Sequence, residues 1–235
     1  MRKALLFGEP DSWPDSDCIM ASEHLPAEML VQAYREGVFP MPTPGLGFGH
    51  TLWFSPVRRG ILPLDGLRVS RSLRKTAPRY RLTVDTDLPG VLAGCADPHR
   101  EHGWIDADVV ADYTDLFRRG LLHTVEARDA SGRLVGGLYG VGIGGLFAGE
   151  SMFHHPRLGR DASKAALIGL VHVLSTDGRP RLLDVQWRTD HLRSLGVVEI
   201  SRRDYLDRAA LAVQLPAADW PAEIDIEAAL RTCSA

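Results

Sequence analysis

The chain is poor in cysteine: among 235 residues only Cys18, Cys95 and Cys233 occur, an odd number at wide spacing. That excludes a disulfide framework and points to a reducing, cytoplasmic setting. Long apolar runs are missing as well. Nothing approaches the roughly 20 consecutive apolar residues that a membrane-spanning helix needs, and the opening run to Phe7 is too short for a signal peptide. Nor does one sign of charge dominate, since 27 Lys and Arg against 30 Asp and Glu leave a net −3. With 45% hydrophobic residues, the chain has enough apolar surface to fold and is not expected to be disordered. Its length fits one large domain, or one with a smaller annex.

Local charge says more than the total. Between Val57 and Val84 stand Arg58, Arg59, Arg68, Arg71, Arg74, Lys75, Arg79 and Arg81, against Asp65 alone. Such segregation on an otherwise acidic protein points to an anionic partner, because a solvated helix face ordinarily mixes both signs.

Residues 1–60 are rich in Pro, Gly and aromatics, with one helix expected from Pro26 to Glu36, ended by Gly37. The prolines from Phe39 to Gly45 argue against regular structure there. A boundary near residue 60 separates this small N-terminal domain from a larger unit, 61–235. In that unit, a short basic helix (Val69–Thr76) and a strand (Tyr80–Val84) come first. A helix capped by Asp106 then carries Val109, Val110, Tyr113, Leu116 and Phe117 at helical spacing up to Gly120. Strands Leu122–Arg128 and Arg133–Val141 flank the turn Asp129–Gly132, and a third, Gly145–Glu150, follows Gly142-Ile143-Gly144. Asp161 caps an apolar helix to Ser175, and Arg181–Gln186 reads as a strand. Strand, helix, strand implies a parallel crossover. The expected fold is α+β, with a mixed sheet that splits where the crossover strand joins, leaving a groove.

Several motifs compete for a functional reading. Gly140-Val141-Gly142-Ile143-Gly144-Gly145 matches the dinucleotide fingerprint literally, but the chain continues as strand rather than helix, so a hairpin turn is the better reading. Gly149-Glu150-Ser151-Met152-Phe153 lacks the second glycine of a nucleophile elbow. Cys95, His99 and His102 have zinc-ligand spacing without a Cys-x-x-Cys partner, and no metal is assigned to them. Leu182-Leu183-Asp184-Val185-Gln186-Trp187 is more informative. Alternation places Asp184 and Gln186 on one strand face, with Leu183 and Val185 on the other. An acid inside an apolar strand is costly without partners. With Glu150 nearby, the set suits binding and orienting an amine.

Longer ordered matches then carry a resemblance. Gly136 to Val141, Leu146 to Phe153, Ala162 to Leu167, Asp184-Val185-Gln186 with Asp190-His191, and Arg203-Asp204-Tyr205 resemble the leucyl/phenylalanyl-tRNA–protein transferases. So do the upstream Ala33 to Pro40, Trp53-Phe54-Ser55-Pro56 and Ser70 to Leu73. The resemblance implies transfer of Leu, Phe or less often Met from aminoacyl-tRNA to proteins beginning with Arg or Lys, marking them for the N-degron route. It implies a C-terminal domain resembling the acetyl-CoA-dependent N-acetyltransferases, with no cofactor or metal, in a monomeric protein away from membranes. Carried over by position, Asp184 and Gln186 are the catalytic pair. Leu138, Phe147, Glu150 and Met152 form the aminoacyl and acceptor pocket. Trp53, Trp104 and Tyr113 meet the 3′-terminal adenosine, while Arg68, Arg71, Arg74, Lys75 and Arg79 meet the acceptor stem. The sequence departs from the family pattern at Thr189 and Asp161 (both for Asn), Phe54 (for Trp), Ser201 (for Pro) and Ala21 to Leu25 (for Gly-Gly-Asp-Leu-Ser).

Such a reaction turns an ester into an amide and needs no ATP. An α-amine with a reference pKa of about 7.7–8.0 is appreciably neutral at cellular pH, so positioning dominates over deprotonation. The expected arrangement has Asp184 orienting Gln186, whose carbonyl oxygen accepts a hydrogen bond from the amine. The departing proton goes to Asp184 or through the ribose hydroxyl. Two other readings remain: an acetyl-CoA-dependent N-acetyltransferase, whose pyrophosphate loop is not matched around Gly159, and a non-catalytic tRNA-binding module.

Overall fold

A computed structural model describes residues 5–23, 27–42, 50–96, 105 and 107–233. The N-terminal part contains β1 (Cys18–Glu23), α1 (Ala27–Arg35), β2 (Phe39–Pro42) and β3 (His50–Phe54). These strands form an antiparallel sheet in the order β1-β3-β2. The prolines of the Phe39–Pro42 stretch do sit in a strand, contrary to expectation. As an edge strand, β2 leaves one row of backbone groups unpaired, so a missing N–H costs no ladder bond.

Next come β4 (Arg58–Leu62), α2 (Arg71–Thr76), β5 (Arg81–Val84), α3 (Leu88–Cys95) and α4 (Ala107–Arg118). They are followed by β6 (Leu122–Arg128), β7 (Leu134–Ile143), β8 (Leu146–His154), α5 (Ala162–Ser175) and β9 (Leu182–Asp184). The chain finishes with α6 (Asp190–Ser194), β10 (Val198–Ser201), α7 (Arg202–Ala212), β11 (Glu223–Ile224) and α8 (Ile226–Thr232). Their eight strands form one mixed sheet, β10-β4-β9-β8-β7-β6-β5-β11, in which β8 and β9 are the parallel pair joined through α5. The fold is α+β, as the element order implies.

Local chemistry explains most boundaries. Ser70 caps α2 by accepting from the Leu73 amide (3.1 Å), and Pro78 converts its end into a tight turn. Asp161 departs from the expected capping role. It sits before α5 with φ 64°, its carboxylate accepts from Lys164 Nζ (3.0 Å), and it makes no side-chain cap. Asp and Asn tolerate that left-handed backbone better than most residues, which accounts for either one at this position. The glycine run is strand through Ile143, with the turn at Gly144-Gly145 rather than Gly142 to Gly144. Cys95 is buried at the end of α3, while His99, His102, the Asp106 cap and Pro26 lie outside the described residues.

The two larger cores lie on opposite faces of the large sheet. One packs α5, almost wholly buried, against Val125, Leu138, Phe147 and Leu183. The other joins Tyr34, Phe39 and Trp53 of the N-terminal part to Leu92, Tyr113, Tyr139 and Val141. A smaller core packs α7 against Ile61, Leu146 and Leu182. Strands β8 and β9 pair only over Leu146–Ala148 and Leu182–Asp184. Beyond that point β8 runs on to His154 while β9 stops, and the sheet opens between them.

Candidate active site

A cavity of about 290 Å³ occupies this opening. Leu62, Leu138, Met152, Leu167, Leu183 and Val197 give it apolar walls, and Glu150, Gln186 and Thr189 bring polar groups to it. Of the residues expected in the pocket, Leu138, Glu150 and Met152 line it. Phe147 does not. Its ring is 1% exposed and packs beside Trp220 (5.6 Å between centroids); it shares the sheet face of Leu183, with which it is in register, but lies over Gly140 and Gly142 of β7, deep in the core rather than at the opening.

Glu150 reaches the cavity by an irregularity. Tyr139 pairs with Ser151 and Gly140 with Gly149, so Glu150 is an extra residue in β8, a bulge that re-aims its side chain. Gly140 permits it, since a Cβ there would lie 2.3 Å from the Ala148 carbonyl oxygen. The Glu150 carboxylate accepts from the Tyr113 hydroxyl (3.0 Å), which is itself 3.1 Å from the Tyr34 hydroxyl. Gln186 Nε2 lies 3.4 Å from Glu150 Oε1, which leaves the glutamine carbonyl oxygen as an acceptor at the cavity.

Loss of solvation pushes the Glu150 carboxyl up to about 7; the Tyr34 and Tyr113 hydroxyls oppose the shift and the nearby Asp184 adds to it. A raised carboxyl favours the folded state below its ordinary range and loses that contribution as pH rises through about 7. Glu150→Gln is therefore expected to melt above wild type at about pH 8 and level with it at about pH 4, read by thermal unfolding at the two values.

Asp184 and Gln186 do not share a face of a regular strand, as alternation had suggested. The strand ends at Asp184 and Gln186 adopts φ 59°, so Gln186 joins Leu183 and Val185 at the cavity wall while Asp184 turns away. The corner is held from both sides. The Gln186 amide donates to Asp184 Oδ1 (3.0 Å), its carbonyl accepts from the Gly60 amide (2.9 Å), and the Val185 amide donates to the Gly60 carbonyl (3.0 Å). A Cβ at residue 60 would lie 2.9 Å from the Trp187 carbonyl carbon, so only glycine allows this approach.

Asp184 is 0% exposed. Arg59 holds both its oxygens, Nε to Oδ1 at 2.8 Å and Nη2 to Oδ2 at 2.6 Å, and the Tyr205 hydroxyl donates to Oδ2 at 2.9 Å. The carboxylate is thus saturated and shut behind Gln186, which corrects the expectation that it could collect the departing proton. Burial alone would lower the Arg59 pKa, but the adjoining Asp184 overrides that and holds it well above the ordinary value.

Sequence reasoning assigned Arg59 to the anion-binding run and gave Tyr34 and Tyr205 no role at the site. One signal was available, since a buried acid in an apolar strand demands a cation and Arg59 opens the apolar Ile61-Leu62.

The residues expected to meet the 3′-terminal adenosine are placed differently from that expectation. Trp53 is 0% exposed, with its indole N–H on Ser22 Oγ (2.8 Å) and its ring against Phe7, so no base can stack on it here. Tyr113 is likewise buried and spends its hydroxyl on Glu150. Trp104 lies outside the described residues. Of the basic set, Arg68, Arg71, Lys75 and Arg79 are exposed, whereas Arg74 is half-buried and donates to the Leu230 (3.2 Å) and Cys233 (3.4 Å) carbonyls at the end of α8. Arg74 thus anchors the C-terminal helix, where a cation also complements the helix dipole. The Arg68 amide donates to the Leu195 carbonyl (2.9 Å), tying the basic stretch to the segment that follows α6 beside the cavity.

The departures at Thr189 and Ser201 become intelligible. Thr189 caps α6 by accepting from the Leu192 amide (3.2 Å), a task Asn performs equally well, and Ser201 caps α7 by accepting from the Asp204 amide (3.1 Å). Among the described residues no group of three or more His, Cys, Asp or Glu side chains is placed to hold a metal, and no helix is long and apolar enough to cross a membrane.

Comparison with known proteins bears directly on this site. The family model for the leucyl/phenylalanyl-tRNA protein transferase matches residues 61–210, and that for its N-terminal domain matches 23–57. A leucyl/phenylalanyl-tRNA–protein transferase of Rhodospirillum rubrum is 46% identical over 212 residues, covering 88% of this chain and 96% of that one. One from Afipia carboxidovorans is 45% identical over 204 residues, covering 83% and 86%. Matches that run through both β8 and β9, and so through the opening that holds Glu150 and Gln186, place the chain in the leucyl/phenylalanyl-tRNA–protein transferase family of aminoacyltransferases.

Proposed function

We propose that the protein transfers Leu or Phe, and less often Met, from aminoacyl-tRNA to the α-amino group of proteins beginning with Arg or Lys, and so marks them for the N-degron route. The cavity between β8 and β9 carries this reading. Its apolar depth suits a large side chain unbranched near its base, and the Gln186 carbonyl oxygen stands at the wall where an amine would approach. Discrimination by such a pocket amounts to about 1–3 kcal/mol per methylene, so leakage to Met follows naturally. Glu150 is the acid at that wall, and the cationic first residue of an acceptor would favour its ionised form. In the transfer step the amine nitrogen forms the new C–N bond, the ester C–O bond breaks, and the amine proton passes to the departing ribose oxygen. Catalysis then rests on alignment more than on a side-chain base.

The parallel β8–α5–β9 unit and its divergence support reading the larger unit, expected as 61–235, as a domain built like the acetyl-CoA-dependent N-acetyltransferases beside a small N-terminal domain. The boundary expected at residue 60 moves ahead of β4, whose Arg58 and Arg59 already pair in the large sheet.

Incubation with radiolabelled Leu-tRNA and a peptide beginning with Arg is expected to yield labelled peptide. Binding of the charged tRNA without label transfer would instead mark a binding module, and acetyl-CoA binding by calorimetry would favour the acetyltransferase. Removing Arg71 or Lys75 as Ala variants is expected to weaken all aminoacyl-tRNAs alike and reduce the salt slope by about one per lost phosphate contact, measured by titration across ionic strengths. Loss confined to one isoacceptor would contradict that role.

A further inference from the structure

We propose that Arg59 is a positioning residue for the transfer step, fixing the Gln186 corner through Asp184 and making it depend on how the N-terminal part is seated. This rests on the reading of Gln186 as the group that aligns the amine. Arg59 is 1% exposed and lies between the rings of Phe39 (4.7 Å) and Tyr205 (4.1 Å). Each of its nitrogens is used: Nε and Nη2 on the two Asp184 oxygens, Nη2 also near the Tyr205 hydroxyl (3.2 Å), and Nη1 on the Gly37 carbonyl (3.1 Å). Three separate chain segments therefore meet at one guanidinium: the turn after α1, strand β9 and helix α7.

Stability alone is a poor reason for such a pair, because well-packed apolar residues of equal volume commonly stabilise as well or better. What the ion pair does supply is direction. Asp184 Oδ1 accepts from Arg59 Nε and from the Gln186 amide together, so the fork that orients the carboxylate also orients the acceptor that holds Gln186 at φ 59°. Lys offers a point charge without the planar fork and cannot hold both oxygens in that plane. The Gly37 turn is equally constrained. It has φ 76°, and a Cβ there would lie 2.3 Å from Leu206 Cδ2 and 3.2 Å from Tyr205 Cε1.

The test uses the full chain as wild type, Arg59→Lys, Tyr205→Phe and Gln186→Ala. It reads the single-turnover rate, acceptor KM, aminoacyl-tRNA affinity and the side-chain amide resonances of Gln186 in ¹⁵N-labelled protein, assigned by their absence in Gln186→Ala. Arg59→Lys is expected to lower the rate about 100-fold, with tRNA affinity held within about twofold and the Gln186 amide shifted. Tyr205→Phe, which deletes a single hydroxyl and carries the test if Arg59→Lys does not fold, should change rate and resonance the same way by about three- to tenfold. Near-wild-type rates with unmoved resonances, or a loss lying wholly in KM or tRNA affinity, would overturn the proposal. If wild type itself transfers nothing, the functional reading fails separately, and the Gln186 resonances still decide whether Arg59 sets that side chain.

Discussion

Gln186→Ala is expected to lower the single-turnover rate of aminoacyl transfer by about 100-fold while leaving aminoacyl-tRNA affinity within about twofold. Gln186 is the polar side chain that both lines the cavity and has its backbone locked on two sides, by Asp184 and by Gly60. A non-glycine residue at φ 59° costs of order 1–3 kcal/mol and persists only where its surroundings impose it. On the proposed reading the carbonyl oxygen is the acceptor offered to the amine, and Ala removes it without disturbing the backbone corner. The loss should therefore fall on the rate. A rate within threefold of wild type with tRNA binding intact would remove Gln186 from the mechanism (threefold is about 0.6 kcal/mol).

Asp184→Ala is expected to destabilise the fold by about 3–5 kcal/mol, because it leaves a buried guanidinium without its partner. Chemical denaturation of the variant should show the loss directly. Removing both charges, as Arg59→Met with Asp184→Leu, should recover much of the stability, since two apolar side chains then fill the space of the ion pair. Transfer should stay slow in the double variant, because the Gln186 amide has lost its acceptor. Recovery of stability without recovery of rate would separate what the pair contributes to folding from what it contributes to geometry. Recovery of both would show that Asp184 serves the fold alone.

Much of the architecture was legible because it depends on local pattern. Apolar periodicity announces α5, turn residues mark Asp129–Gly132, and the strand–helix–strand order calls for a parallel pair and an opening beside it. The misreadings share one cause, which is that pairing partners are set by tertiary position. Pro40 and Pro42 looked incompatible with a strand until β2 proved to be an edge. Phe147 looked like a pocket residue, yet its ring lies over Gly140 and Gly142 of the neighbouring β7, inside the core. Glu150 turns out to be placed by a bulge that no two-residue alternation reveals. Arg59, Arg74 and Arg81 all counted as free cations in the charge run. Their partners, Asp184, the last carbonyls of α8, and Glu223, lie more than a hundred residues away.

Taken alone, the order of residues determined the family and the α+β class, since both rest on local spacing or ordered motifs, and it singled out Glu150, Asp184 and Gln186 as candidates. Which of the three faces the cavity was decided only by the folded chain. Whether a carboxylate faces a cavity or a guanidinium depends on which strand lies beside it, and β4 brings Arg59 against β9 from 125 residues away in sequence. That contact shuts Asp184 in and leaves Gln186 and Glu150 at the opening.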